Sequence, residues 1–468
     1  MNDPSRNAAP ASHLADIRFG LGPHWRHDLL TRETLLATLP ERATLSGAVA
    51  LASAMPETAH RLREEVAASR ALQALAKRGS DTRAQRKAGR ERRHRYWAGD
   101  VARYCERLIE TTDPLRERLV LFWTDHFAVS AAKGAVRLAA GPMVEEAIAP
   151  RVYGRFADLL RAAVLHPAML YYLDARASVG PNSPIGRRRG FGLNENLARE
   201  VLELHTMGVG SGYTQDDVVA LARILTGVKL DRNTGLSGFR PAMAEPGKHR
   251  VVDRAFSVQS MDDVHVALDH LATLPATARH ITGKLVDHFV GPDRAPDLRR
   301  ALADAFVRSG GDLAVVTRTL ITHEDAWQLP LENVRPPLDF VVATARLAGP
   351  AFPAPVREDR PRPGDRFARG RFVSQLSRSM GQRVWQPPSP AGFPANAEFW
   401  LSAAGLSARL DWAGRLSRRL VRTGEPLDVL ERALGPVASG RTRTVVSRAP
   451  NARTAIALVV GSPEFNMR

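Results

Sequence analysis

Helix punctuation along almost the whole chain constrains its fold more than any other feature. Apolar residues recur every three or four positions in segment after segment, and helix starts and stops lie between them. Asp113-Pro114 sets a carboxylate at the cap and a proline at the first helical position, where its missing N–H costs nothing. The amphipathic run 114–127 comes next. Asn194 and Thr214 cap two further helices, Gly208 stops the first of them, and Asp216 and Asp217 sit in the opening turn of the second, where the helix dipole favours them. The same pattern predicts helices over 58–108, 141–149, 154–165, 167–175, 261–273, 275–290, 295–308 and 311–323, and again after 334. Alternation of period two is scarce. The expected fold is therefore mainly α: one large multi-helix domain over 1–468, long enough to bury a substantial core.

Three segments break the pattern. Residues 229–258 lack helical period and hold several Gly and Pro, which predicts a small non-helical excursion with a strand pair or extended backbone. Residues 352–371 are rich in Pro and Arg and read as a flexible loop. Residues 76–95 hold nine Lys/Arg against Asp81 and Glu91, with Gly79 and Gly89 as breaks, and read as a basic helical arm.

That arm and a net charge of +17 point to polyanions. The basic residues are overwhelmingly Arg and Ala is abundant, the drift of a GC-rich genome, so a solvated charged arm accounts for the same facts. No aromatic residues interleave with the basic ones, and there is no helix-turn-helix or zinc pattern; nucleic-acid binding is expected to be weak and non-specific at most. The single cysteine, Cys105, excludes an intrachain disulfide and a thiolate metal cluster, and its helical context makes it a core residue. No apolar run approaches eighteen residues and the first twenty hold no secretory-type apolar stretch, so no membrane span and a cytoplasmic location are expected.

The densest polar stretch is GFGLNENLAREVLELHTMGVGSGYTQDDV, residues 190–218. On a helical wheel Glu195, Arg199 and Thr206 fall together, with Asn196, Glu200 and Glu203 beside them. Leu197, Ala198, Val201, Leu202 and Leu204 take the other face, and His205 falls with them. Glu195–Arg199 and Arg199–Glu203 are i,i+4 pairs that a solvated face would also carry. A second polar pair, Asp125-His126, ends the apolar run LVLFWTDHF. The spacing of His126, Glu200, Glu203 and His205 matches no standard metal motif.

Several stretches together carry a family resemblance: ERLVLFWTDHF, HPAMLYYLD, GPNS, GRRRGFGLNENLAREVLELHTMGVGSGYTQDDVVALARILTG, ATARHITGKLVDHFV and PPSPAGFP. In that order they resemble the large bacterial family catalogued as domain of unknown function eighteen hundred. The resemblance runs from IRFGLGP to GSPEF and implies a mostly helical protein with no settled activity. It also implies a neighbourhood with a second family that looks like the phosphatase and sulfatase fold. The Asn-Glu-Asn, Arg-Glu, Glu and His-Thr order of Asn194–Thr206, with Tyr213-Thr214 and Asp217, matches the family pattern, which implies a buried polar lattice. Val228 and Phe393 stand where relatives carry Trp. Ala244 stands in the place of a family His, with Glu245 retained, which implies weakened chemistry if that His acts in relatives.

Two readings remain open. In one, the protein is a helical scaffold or binding partner of a phosphatase- or sulfatase-like protein, with Arg199 as main counter-ion of the lattice. In the other, it is a hydrolase or metal-assisted oxidoreductase. Asp125, His126, Glu200 and Glu203 would then do chemistry beneath the 178–192 loop. Arg187, Arg188, Arg189, Asn194, Asn196, Arg199 and Tyr213 would hold an anionic substrate. A divalent cation would sit on Glu200, Glu203 and Asp125. Asn196, Glu200 and Glu203 are expected to be buried and to face Asp125-His126.

Overall fold

Proline and side-chain caps set the helix starts. Pro56, Pro114, Pro167, Pro275, Pro296 and Pro337 each open a helix in its first turn, and Asp113, Thr214, Ser260 and Asp312 cap the helices after them. The computed structural model describes residues 12–41, 55–190, 192–231, 233–353, 367–422 and 424–468. Among these residues the fold is mainly α, and the only sheets are two antiparallel pairs, Val228–Leu230 with Ser237–Phe239 and Lys248–Val251 with Arg254–Ser257. Both fall in the expected excursion. Most of the Pro/Arg-rich loop, 354–366, lies outside the described residues.

One continuous apolar cluster runs from Leu14 to Phe465 and draws on nearly every helix. Five helices position the polar groups of interest: α1 (Arg83–Glu110), α2 (Pro114–His126), α3 (Asn196–Glu200), α4 (Pro275–Phe289) and α5 (Pro337–Ala348). Gly89 does not interrupt α1, contrary to the sequence expectation; a single glycine costs only about 1 kcal/mol within a helix of 28 residues. Gly79, in the left-handed region at φ 73°, does end the preceding helix Pro56–Lys77. The two helices form a hairpin held by Arg92 and Arg93 on Glu65.

Part of the basic charge is internal. Arg18, Arg61, Arg118, Arg335, Arg346 and Arg409 are almost fully buried. Arg346 donates to the carbonyls of Gly22 and Ile109, and Arg409 to that of Arg335, so these guanidiniums stitch helix ends together. Cys105 is buried and free.

Among the described residues two stretches widen the α-helical hydrogen-bond register to that of a π-helix. Met143–Ile148 and Val201–His205 are π-helical turns, the second continuing α3. Such turns hold an extra residue, re-aim the side chains beyond them, and recur at functional sites.

Candidate functional site

The π turn after α3 releases carbonyls that an α-helix would use. Two imidazoles claim them. His280 of α4 lies 3.1 Å from Leu204 O through Nε2, and His126 at the end of α2 lies 3.3 Å from His205 O through Nε2. Since a carbonyl only accepts, both Nε2 atoms carry the proton, and Nδ1 of His126 is left as an acceptor. Lys284 supplies its donor: Nζ lies 3.1 Å from His126 Nδ1. Gly208, at φ 88°, makes the approach of His280 feasible, because a Cβ there would lie 2.5 Å from His280 Nδ1.

His280, Lys284 and His288 are spaced by four on α4 and therefore share a face. Lys284 and His288 line a cavity of about 400 Å³, together with Asp125, His126, Arg118, Asp339 and Arg468. Much of the wall is apolar, from Leu121, Phe122, Phe127, Val129, Met143, Val144, Trp385 and Phe393. The cavity reaches the surface at Ala391 and Ala395, both exposed. Met143, Val144 and Ile148 of the other π turn form part of its lining.

The electrostatics stem from this semi-dry setting. Burial pushes the Asp125 carboxyl up to about 6, against the pull of the Phe393 N–H at 2.8 Å and the nearby Lys284 and Arg468. Burial lowers Lys284, which Asp125 and Asp287 only partly oppose. Burial and Lys284 together hold His126 well below the ordinary histidine range and His205 at about 3, so these rings stay neutral. Among the described residues, no carboxylate lies within ion-pair distance of Lys284. Gly392, at φ 88°, lets the 389–394 loop lie directly on Asp125; a Cβ there would be 2.7 Å from Asp125 Oδ1.

Behind this pair sits a buried ion cluster. Arg118 grips Asp339 of α5 at 2.5 and 3.1 Å, Arg468 lies 3.3 Å from the same carboxylate and Arg335 lies 4.0 Å from it. Burial alone would raise Asp339, but the three cations outweigh it and hold it at about 2. One carboxylate against three guanidiniums leaves this end of the cavity positive. Tyr104 Oη, Thr124 Oγ1 and Trp385 Nε1, all on lining residues, are buried without a protein hydrogen-bond partner.

The residues picked out in the sequence divide into two groups. Asp125 and His126 line the cavity. Glu200 and Glu203 do not, and neither do Arg199, Tyr213, Asn194, Asn196 or Arg187–Arg189. The expectation that Asn196, Glu200 and Glu203 are buried against Asp125-His126 is corrected: Asn196 is exposed and both glutamates are half-buried. Solvent reaches this face because α3 packs only its leucine and valine side inward. Arg199 bridges Glu195 at 3.1 Å and Glu203 at 3.5 Å, the i,i+4 lattice read from the wheel. Burial and Glu203 raise Glu200, and Arg199 opposes them. Arg187, Arg188 and Arg189 are exposed on a short helix, Pro184–Arg189. Asn194 Oδ1 accepts from Asn196 N, an end-of-helix role. Glu245 is buried and takes hydrogen bonds at 2.9 and 2.6 Å from Asn182, while Ala244 and Val228 are buried core positions. Among the described residues no group of three or more His, Cys, Asp or Glu side chains gathers as a ligand set, and Glu200 and Glu203 do not join Asp125 at the cavity, where the enzyme reading would place a cation.

Lys284 and His288 escaped the sequence reading. The signal was present: six lysines stand against sixty arginines in this chain, and one of them lies in ATARHITGKLVDHFV between two histidines at helical spacing.

Fold and cavity define a mainly helical protein with a semi-dry, cation-rich pocket. The chain belongs to the family described as protein of unknown function (DUF1800), whose pattern it matches over residues 15–467. No curated protein and no solved structure matches it.

Proposed function

We infer that the protein is an enzyme that binds a small organic molecule in the cavity and moves protons on it with Asp125, His126 and Lys284. The contact that carries this reading is Lys284 Nζ at 3.1 Å from His126 Nδ1, on the wall of an apolar-lined cavity. Burial moves the carboxyl and the amine toward proton exchange near neutral pH, and the neutral imidazole in contact with the amine can relay a proton between them and a ligand. The unpartnered donors of Tyr104, Thr124 and Trp385 offer polar anchors to a ligand whose body is apolar. Ligand-observed NMR with a library of small carbonyl, carboxylate and hydroxyl compounds tests the reading. Binders are expected with the wild type and lost with Ala391→Trp, which plugs the rim at an exposed site. Binders that persist in Ala391→Trp, or a library with none, would refute it.

Partner binding, the scaffold role next to a phosphatase- or sulfatase-like protein, draws its best support from elsewhere. Phe399, Leu401, Leu406 and Leu410 are large apolar side chains left exposed, and the last two share a face of Ala403–Leu420. A pull-down with Leu406→Glu/Leu410→Glu separates this role from the cavity: the double variant would lose the partner and keep small-molecule binding.

A further inference from the structure

Lysine is the exception in this chain, and its placement is informative. Where any cation suffices, sixty of sixty-six basic positions are arginine. Four of the six lysines, Lys77, Lys87, Lys133 and Lys248, are exposed, and Lys229 is buried with its ammonium on the carbonyl of Ser178. Lys284 alone faces the cavity. Arginine could supply the charge there, but it cannot lose a proton and act as a nucleophile; a primary amine can.

We propose that Lys284 is a carbonyl-binding nucleophile, and that the cavity takes a small, largely apolar aldehyde or ketone and holds it as an imine. The proposal rests on the small-molecule reading of the cavity and names its substrate class. Lys284 Nζ adds its lone pair to the carbonyl carbon, forming the C–N bond of a carbinolamine. The carbonyl oxygen then leaves as water, having gained the two protons that nitrogen gives up, and C=N remains. His126 Nδ1, already 3.1 Å from Nζ and fixed as an acceptor by the His126 Nε2 contact with His205 O, takes the first of those protons only in passing and gives it to the carbinolamine oxygen, so the ring ends neutral. Asp125, at the same wall, is the group placed to hand a proton to the departing oxygen. Burial keeps part of Lys284 in its neutral, nucleophilic form, and apolar walls limit the water that would hydrolyse the imine.

The test is reductive trapping on the full-length protein. Benzaldehyde and hexanal are added with cyanoborohydride at pH 7, and the alkylated lysines are mapped by peptide mass spectrometry. Lys284 is expected to label clearly faster than Lys77 or Lys87, because its amine sits on the cavity wall against His126 Nδ1. Labelling at the other lysines should be unchanged in Lys284→Arg, and the Lys284 excess should fall in His126→Gln. Even labelling across the lysines overturns the proposal. Saturable binding of benzaldehyde by ligand-observed NMR, blocked in Ala391→Trp but with no adduct at Lys284, overturns imine formation and leaves the cavity reading standing. Absence of saturable binding defeats both.

Discussion

Two helices of this protein carry dense polar faces, and burial sends them different ways. On α3, Glu195, Arg199 and Glu203 form an i,i+4 lattice that solvent partly screens. On α4, His280, Lys284 and His288 occupy one face with fewer charges, yet all three are held below their ordinary pKa, first by burial. The α3 face sets Glu195 and Glu203 on the one guanidinium of Arg199, half in solvent, and gains little from doing so. The α4 face meets an apolar cavity in which an amine must share a hydrogen with a neutral imidazole. Density of charge along a sequence therefore points less reliably to groups perturbed by burial than does a sparse polar stripe set against apolar walls.

The largest effect expected from perturbing this contrast lies behind the cavity. Asp339→Asn leaves Arg118, Arg335 and Arg468 without their common buried carboxylate. It should lower stability by about 3–5 kcal/mol in urea unfolding. A loss under about 1 kcal/mol would mean that the three cations are solvated and the cavity is wet throughout.

Asp125 gives the next effect, with a sign opposite to that of an ordinary ion pair. Its folded-state pKa, about 6, lies above the ordinary 3.8, so its contribution to stability is fully present below about pH 3.8 and is lost as pH rises through 6. Asp125→Asn should therefore match the wild type near pH 4 and exceed it by roughly 1–2 kcal/mol at pH 7, after allowance for cavity water. Lys284, Arg468 and His126 face this carboxyl and stay in place in the variant. Equal stabilities at pH 7 would show that the carboxyl is not raised.

Lys284→Met should raise the melting temperature slightly, by the equivalent of about 1 kcal/mol, because a buried amine gives way to a thioether of similar length. A clear destabilisation would make Lys284 a structural tie. The smallest effect belongs to α3: Glu200→Ala should change stability by no more than about 0.5–1 kcal/mol, as expected of a half-buried carboxylate in a screened lattice.

Much of the fold was legible because helix signals are local. Asp113-Pro114, Thr214 and the apolar periods sit within a few residues of what they specify, and so does the loss of period over 229–258. The site was legible in part. Asp125-His126 stood out as a polar pair ending an apolar helix. The π turn at Val201–His205 did not, because a wheel at 100° per residue assumes the register that this turn abandons. Contacts across the sequence escaped as well: Lys284 meets His126 from 158 positions away, and Arg468 reaches Asp339 only when the chain's last helices close over α5. The charges of α3 were read correctly as pairs, but their exposure depends on which neighbours cover the helix, and that is not written in 190–218.

The most direct test of the claim that burial makes α4 the reactive face is a pH titration of the lysine side chains by NMR, with ¹³C at Cε. Six lysines give six signals, and Lys284→Arg assigns the one in question. Lys77, Lys87, Lys133 and Lys248 are exposed and serve as internal references. Lys284 is expected to titrate below these four, with Lys229 near 8, and Ala391→Trp, by excluding cavity water, is expected to move Lys284 lower still. A Lys284 signal that titrates together with the four exposed lysines would contradict the claim.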